Sequence, residues 1–235
     1  MVGWSGVVRG MRRGLRASET VVERVGRSRL PESWEGLELQ GLQSDHMLEA
    51  EWDRERGWGR PLIRPYQKIQ VPPSAAVLHS AAGVFEGMRA RRGDDRRLRL
   101  FRPMANMERL LASAKRAGLG QAHWDPEQLY RSLCQLLWVD QAWVPDGQEG
   151  SVYIRPFLIG TEQDLLPPTA PLQRLRLYIV LLPTRGSLAD QFRTTGLQRW
   201  ASPQFQRTAG GGSAKMGAHY ALYFQVRRLA EERGA

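Results

Sequence analysis

The chain has 235 residues, 42% of them hydrophobic and 9% aromatic, which is enough apolar material for one large core or two small ones. Its formal net charge of +10 comes from 31 arginines and three lysines spread along the whole chain, not gathered in one stripe with aromatics between, so a nucleic-acid partner is not expected. The single cysteine, Cys134, excludes an internal disulfide and a cysteine-based zinc site, and no apolar run reaches the roughly 20 residues that a membrane helix needs.

The first segment, "MVGWSGVVRGMRRGLRAS", carries Arg9, Arg12, Arg13 and Arg16 and no acidic residue before Glu19. That is the bias of an organellar transit peptide, or else of a disordered basic tail. No periodicity is sustained through residue 43, so the ordered body is expected to begin near "SDHMLEAEW" at 44–52. "PLIRPYQKIQV" then reads as a strand flanked by prolines, and "RLRLF" at 97–101 alternates charged with apolar side chains as a half-buried strand does.

In "NMERLLASAKRAGLG", Met107, Leu110, Leu111 and Ala114 share one helical face, Arg109 lies off it, and Gly118 supplies a stop. "DPEQLYRSLCQLLWVDQAW" is a second helix, capped by Asp125, with Pro126 in its first turn and Leu129, Leu133, Leu136 and Leu137 as its buried stripe. "PDG" at 145–147 turns the chain, and "SVYIRPFLIG" and "RLRLYIVLLP" are strands. Alternating strands and helices make this an α/β or α+β chain. After Pro183 the pattern loosens into a glycine-rich linker, and the closing "YALYFQVRRLAEERG" sets Leu222, Val226 and Leu229 on one side of a helix. Three parts are therefore expected: a basic start at 1–43, a small α/β domain at 44–183, and a linker with the beginning of a second, cofactor-binding domain at 184–235.

Lys215 lies in "GGGSAKMGAHYALYF", and the only other lysines are Lys68 and Lys115. An arginine could carry a surface charge there equally well, but only a lysine can lose its proton and act as a nucleophile. The stretch is not a nucleotide-phosphate loop, because Ala214 and Met216 replace the glycine and the hydroxyl that flank the lysine in that motif. His46, His79, His123 and His219 show no metal-ligand spacing, and no serine sits in a nucleophile elbow. What the residues fit is a Schiff-base lysine, with glycines allowing close backbone approach to a planar cofactor and Tyr220 in reach of a phenolic oxygen.

From about residue 45 onward the chain resembles branched-chain amino-acid aminotransferases of the fold-type IV pyridoxal-phosphate class, most nearly the vertebrate mitochondrial form. The resemblance rests on "DHML.AEWD", "GWGRP", "FEGMRA", "LRLFRPMANMERLLASA", "VPDG", "YIRPFLIGTE" and the lysine segment, in that order. It implies a two-domain fold whose second domain is incomplete where the chain stops at Ala235. It implies that Lys215 binds the aldehyde of pyridoxal 5'-phosphate, that Arg109 holds the cofactor phosphate, that Tyr220 touches the ring oxygen, and that Tyr153 and Arg155 face the substrate. The implied reaction moves an amino group from leucine, isoleucine or valine to 2-oxoglutarate, in a homodimer when the protein is full length, located in mitochondria or alternatively in the cytoplasm.

Two departures stand out. Ser80 follows His79 where the family has an aromatic wall, and "GSAKMGAHY" replaces a pattern close to G-N-Y-K-L-G-G-N-Y. With the early stop, they leave open a second reading, a non-catalytic remnant kept as an interaction or dimerisation module.

Overall fold

The computed structural model describes residues 13–34, 41–147, 150–163, 170–185, 214–221 and 223–232. Its strands are β1 (Val21–Val22), β2 (His46–Asp53), β3 (Gly57–Trp58), β4 (Leu62–Pro65), β5 (Gly83–Phe85), β6 (Met88–Arg92), β7 (Leu98–Leu100), β8 (Gly150–Gly160) and β9 (Arg174–Arg185). Its helices are α1 (Ala76–Ser80), α2 (Pro103–Arg116), α3 (Pro126–Val139) and α4 (Tyr223–Glu231). Among the described residues all nine strands join one sheet in the order β1-β4-β2-β9-β8-β6-β7, with β3 added to β2 and β5 to β8. Every pairing is antiparallel except β1 with β4, so this part of the chain takes the α+β form of the expected fold class.

The long central pair follows from the two most regular stretches of the sequence. β8 and β9 pair along their whole length, from Gly150 opposite Arg185 to Gly160 opposite Leu175. Alternation then sorts the side chains by face. Val152, Ile154 and Leu158 of β8, with Leu175, Leu177, Ile179 and Leu181 of β9 and Leu48, Ala50 and Trp52 of β2, enter one core with the apolar stripes of α2 and α3. Those stripes are the expected ones, Met107, Leu110, Leu111 and Ala114 on α2 and Leu129, Leu133, Leu136 and Leu137 on α3. Tyr153, Arg155, Phe157 and Ile159 alternate with the core row of β8 and are only half-buried, on the other face of the sheet.

The start of the chain departs from expectation. The ordered body does not begin near residue 44, because the segment from Arg13 packs onto it. Leu15 and Ala17 are buried, the Ala17 amide donates to Gln128 Oε1 at 3.0 Å, and Val21 and Val22 extend the sheet beside Leu62 and Ile63. Arg13 forms a bridge to Gly57, whose φ of +80° suits glycine and where a β-carbon would strike the Arg13 backbone. Sequence reading missed this because two-residue strands and single anchoring leucines produce no periodic signal.

Two further expectations are trimmed. The strand expected over "PLIRPYQKIQV" is only Leu62–Pro65, ending at a proline that has no N–H to offer a ladder. The final helix forms as α4, but it buries none of its residues; Val226 and Leu229 are half-buried at most, and Leu222 lies outside the described residues. The glycine-rich linker expected after Pro183, including Gly210–Gly212, lies outside the described residues beyond residue 185. No helix among the described residues is long and apolar enough to cross a membrane.

Candidate active site

β5 and β6 are one strand with an interruption. Phe85 lies opposite Phe157 and Met88 opposite Ile154, so the register against β8 carries through Glu86 and Gly87 without a slip. The Glu86 amide even donates to the Pro156 carbonyl at 2.9 Å. Alternation therefore aims Glu86 at the same side as Val84, Met88 and Ala90, all of them buried. A carboxylate delivered into an apolar row must find partners, since an unpaired buried charge is very costly.

It finds them on two other elements. Arg109 clamps Glu86 at both oxygens, Nε to Oε1 at 2.5 Å and Nη2 to Oε2 at 2.6 Å, and Asn106 Nδ2 donates to Oε2 at 3.0 Å. Asn106 and Arg109 stand three residues apart on α2 and so share a face. Lys215 Nζ completes the set at 3.2 Å from Oε2. Burial pushes the Glu86 carboxyl up, but the hydrogen bonds from Arg109, Asn106 and the Gly87 amide, together with the Lys215 charge, outweigh it and hold the group below its ordinary value. The cluster is thus an ionised carboxylate carrying two cations.

Lys215 is held there by its backbone. Its amide donates to Ser113 Oγ at 3.1 Å, its carbonyl accepts from the Phe85 amide at 3.0 Å, and Met216 bridges to Val84. The lysine segment therefore lies along the free edge of β5. Glu86 is fully buried, whereas the Arg109 and Lys215 side chains are 44% and 32% exposed, so the cationic ends reach solvent while their counter-ion does not.

The opposite face of the same strand is aromatic and cationic. The Tyr220 ring lies 4.9 Å from the Phe85 ring, and the Arg155 guanidinium sits 4.5 Å over Phe85 and 5.2 Å from the Tyr153 ring centre. Tyr153 presses its hydroxyl against Gly87, so a β-carbon at that position would push the tyrosine ring aside. Beside these residues opens a cleft of about 450 Å³ lined by Val84, Phe85, Arg155, Phe157, Ile159 and Gly217 among others.

The five residues singled out from the sequence thus gather around one strand segment, Phe85–Gly87. Lys215 and Arg109 meet on its buried side through Glu86, while Tyr220, Arg155 and Tyr153 border its open side. Sequence reasoning assigned no role to Glu86, Asn106 or Ser113. The available signal for Glu86 was an acidic residue at an inward-facing position of "VFEGMRA", between apolar residues of the same parity. The donor set on the Glu86 side also suits an aldehyde bearing a phosphate: one amine, and one guanidinium oriented by a two-point clamp.

No protein-family model matches the chain. Among curated proteins it is 39% identical over 193 residues to the mitochondrial branched-chain-amino-acid aminotransferase of Mus musculus, covering 81% of this chain and 48% of that protein. It is 40% identical over 193 residues to the cytosolic form of the same species, covering 81% and 49%. The near-equal identities do not separate the two compartments. Among solved structures, a branched-chain aminotransferase from Thermoproteus uzoniensis, crystallised with norvaline, aligns with 80% of this chain and 57% of its own, at a TM-score of 0.53 and 22% identity. That likeness establishes the fold, a fold-type IV aminotransferase sheet with its flanking helices. By sequence and by fold, the chain is a relative of the branched-chain-amino-acid aminotransferases and spans about half the length of the curated relatives it matches.

Proposed function

We propose that this chain carries the lysine-bearing part of a pyridoxal-phosphate-dependent aminotransferase acting on leucine, isoleucine or valine with 2-oxoglutarate, in a protein that works as a homodimer. The observation that supports it most is the convergence of Lys215 and Arg109 on one buried carboxylate, at 3.2 Å and 2.5–2.6 Å, beside an aromatic cleft. In domain terms, residues 44–183, with the segment from Arg13 packed onto them, make up the small domain and 184–235 open the cofactor-binding one.

Pyridoxal 5'-phosphate, when bound, supplies an aldehyde that condenses with amines and a ring that accepts an electron pair. The remaining work falls to side chains. Arg109 would hold the phosphate through charge-assisted hydrogen bonds, and Tyr220 would donate its O–H to the ring oxygen. Lys215 would hold the aldehyde through its Nζ and, when not so engaged, that amine would move a proton to and from the substrate α-carbon. Arg155 and Tyr153, on the open face, bind the substrate carboxylate, and the apolar cleft wall at Phe85, Phe157 and Ile159 takes a branched side chain.

The test is direct. The chain is incubated with pyridoxal 5'-phosphate, reduced with borohydride and mapped by peptide mass. A reduced adduct on Lys215, visible absorbance that vanishes in Lys215→Ala, and leucine-to-2-oxoglutarate transfer by the complete protein that the same substitution abolishes are expected. An unlabelled Lys215 peptide counts against the assignment. The alternative reading, a binding module without catalysis, has one observation in its favour: α4 exposes Tyr223 and Phe224 and buries nothing. A chain that self-associates but takes up no cofactor supports that alternative.

A further inference from the structure

The reaction just described makes no use of the most deeply buried charge in the site. Glu86 is wholly inaccessible to solvent, yet it stands in a row otherwise made of Val84, Met88 and Ala90. An apolar residue there would avoid the cost of burying an ion, and ion pairs of this kind often do not repay that cost in stability. Its hydrogen bonds divide in an informative way. Oε1 takes Arg109 Nε at 2.5 Å, while Oε2 takes Arg109 Nη2 at 2.6 Å, Asn106 at 3.0 Å, the Gly87 amide at 3.2 Å and Lys215 Nζ at 3.2 Å.

A two-point clamp fixes both the plane and the rotation of a guanidinium without exhausting its five donors. The shared oxygen sets how far the lysine amine stands from that plane. Without the carboxylate, two like charges this close would repel and their long side chains would splay toward solvent. We infer that Glu86 is the positioning residue of this site: it fixes Arg109 and Lys215 relative to each other, so that one ligand can meet the guanidinium with its phosphate and the amine with its aldehyde. The inference rests on the cofactor reading above, and it concerns binding geometry, with no direct contact between Glu86 and the reacting atoms.

The experiment compares the unaltered chain with Glu86→Gln and Glu86→Asp. Glutamine keeps the volume but offers one acceptor oxygen and turns an NH₂ donor toward a cation. Two readouts are taken. The first is the rate at which phenylglyoxal modifies Arg109, followed by peptide mass without any cofactor; it is expected to rise about tenfold or more in Glu86→Gln, the scale of one lost charge-assisted hydrogen bond. The second is the ratio of affinities for pyridoxal 5'-phosphate and for pyridoxal, which lacks the phosphate, read by visible absorbance. That ratio is expected to fall about tenfold in Glu86→Gln and to recover in part in Glu86→Asp.

A core-filling role with no effect on the site would leave the ratio unchanged, and an unchanged ratio overturns the inference. Equal Arg109 labelling overturns it as well. If circular dichroism shows that Glu86→Gln does not fold, Glu86→Asp, which keeps the charge on a shorter arm, takes its place in both comparisons. If the unaltered chain binds no pyridoxal 5'-phosphate, the functional reading falls by itself, and Arg109 labelling alone then decides whether Glu86 positions the guanidinium.

Discussion

A carboxylate sealed from water stays ionised only while enough donors surround it, and this dependence makes Glu86 sensitive to acid. Its folded pKa lies below the ordinary value of 4.5, so its pairing stabilises the fold above that pH and loses its contribution as the pH falls through the depressed folded value. Asp45 behaves alike: burial raises it, but Ser28, the Arg29 amide, Trp143 and the Arg29 side chain together lower it. Urea midpoints measured between pH 7 and pH 3 are expected to drop steeply at the acid end, and less steeply in Glu86→Gln. Cys134 shows the opposite sign. Burial pushes its thiol up, against a smaller lowering by Tyr130, so little thiolate forms near neutrality. Iodoacetamide at pH 8 is expected to label Cys134 several-fold more slowly than free cysteine, and labelling as fast as the free amino acid contradicts this environment. Lys215 stood out at this scale because a lysine is rare in an arginine-rich chain; Glu86 did not, because a single acidic letter does not report its burial.

Helices were the most legible elements. On α2 and α3 the leucine spacing alone identified the buried faces, since 3.6-residue periodicity is a property of the chain itself. The Asp125 cap was legible too, and its side chain accepts from the Glu127 amide at 3.0 Å, with Pro126 following at the first helical position. Asp125→Ala is expected to cost about 1 kcal/mol, read as a shift in the urea midpoint with unchanged slope. Leu133, fully buried in the middle of α3, is a harsher test. Leu133→Ala is expected to cost about 2–5 kcal/mol by the same measurement, and a loss below 1 kcal/mol contradicts its place in the core. α4 marks the limit of such reading: an amphipathic pattern says that a face wants cover, and cannot say what covers it.

At the scale of the whole molecule, the departure from expectation was the start of the chain. Leu15 enters the same core as Trp58 and Leu129, and the anchoring bonds run to Gln128, Gln135 and Arg56, all distant in sequence. Leu15→Ala is expected to lower stability by about 2–5 kcal/mol, comparable to the loss at Leu133, whereas an unattached basic tail would tolerate it without change in the unfolding midpoint. The site is assembled across the molecule in the same manner. Glu86 comes from the β5–β6 junction, Arg109 from α2, and Lys215 from a segment 129 positions beyond Glu86 that borders β5.

The sequence by itself determined the strand and helix alternation, the buried stripes, and the presence of a rare lysine at 215, because periodicity and side-chain type are local properties that hold wherever an element packs. Only the tertiary structure decided that Arg109 and Lys215 would share one buried carboxylate, and that Leu15 would close the core. Both depend on which strand edges and helix faces meet. That choice is made by the summed packing of distant segments, and no residue carries it alone.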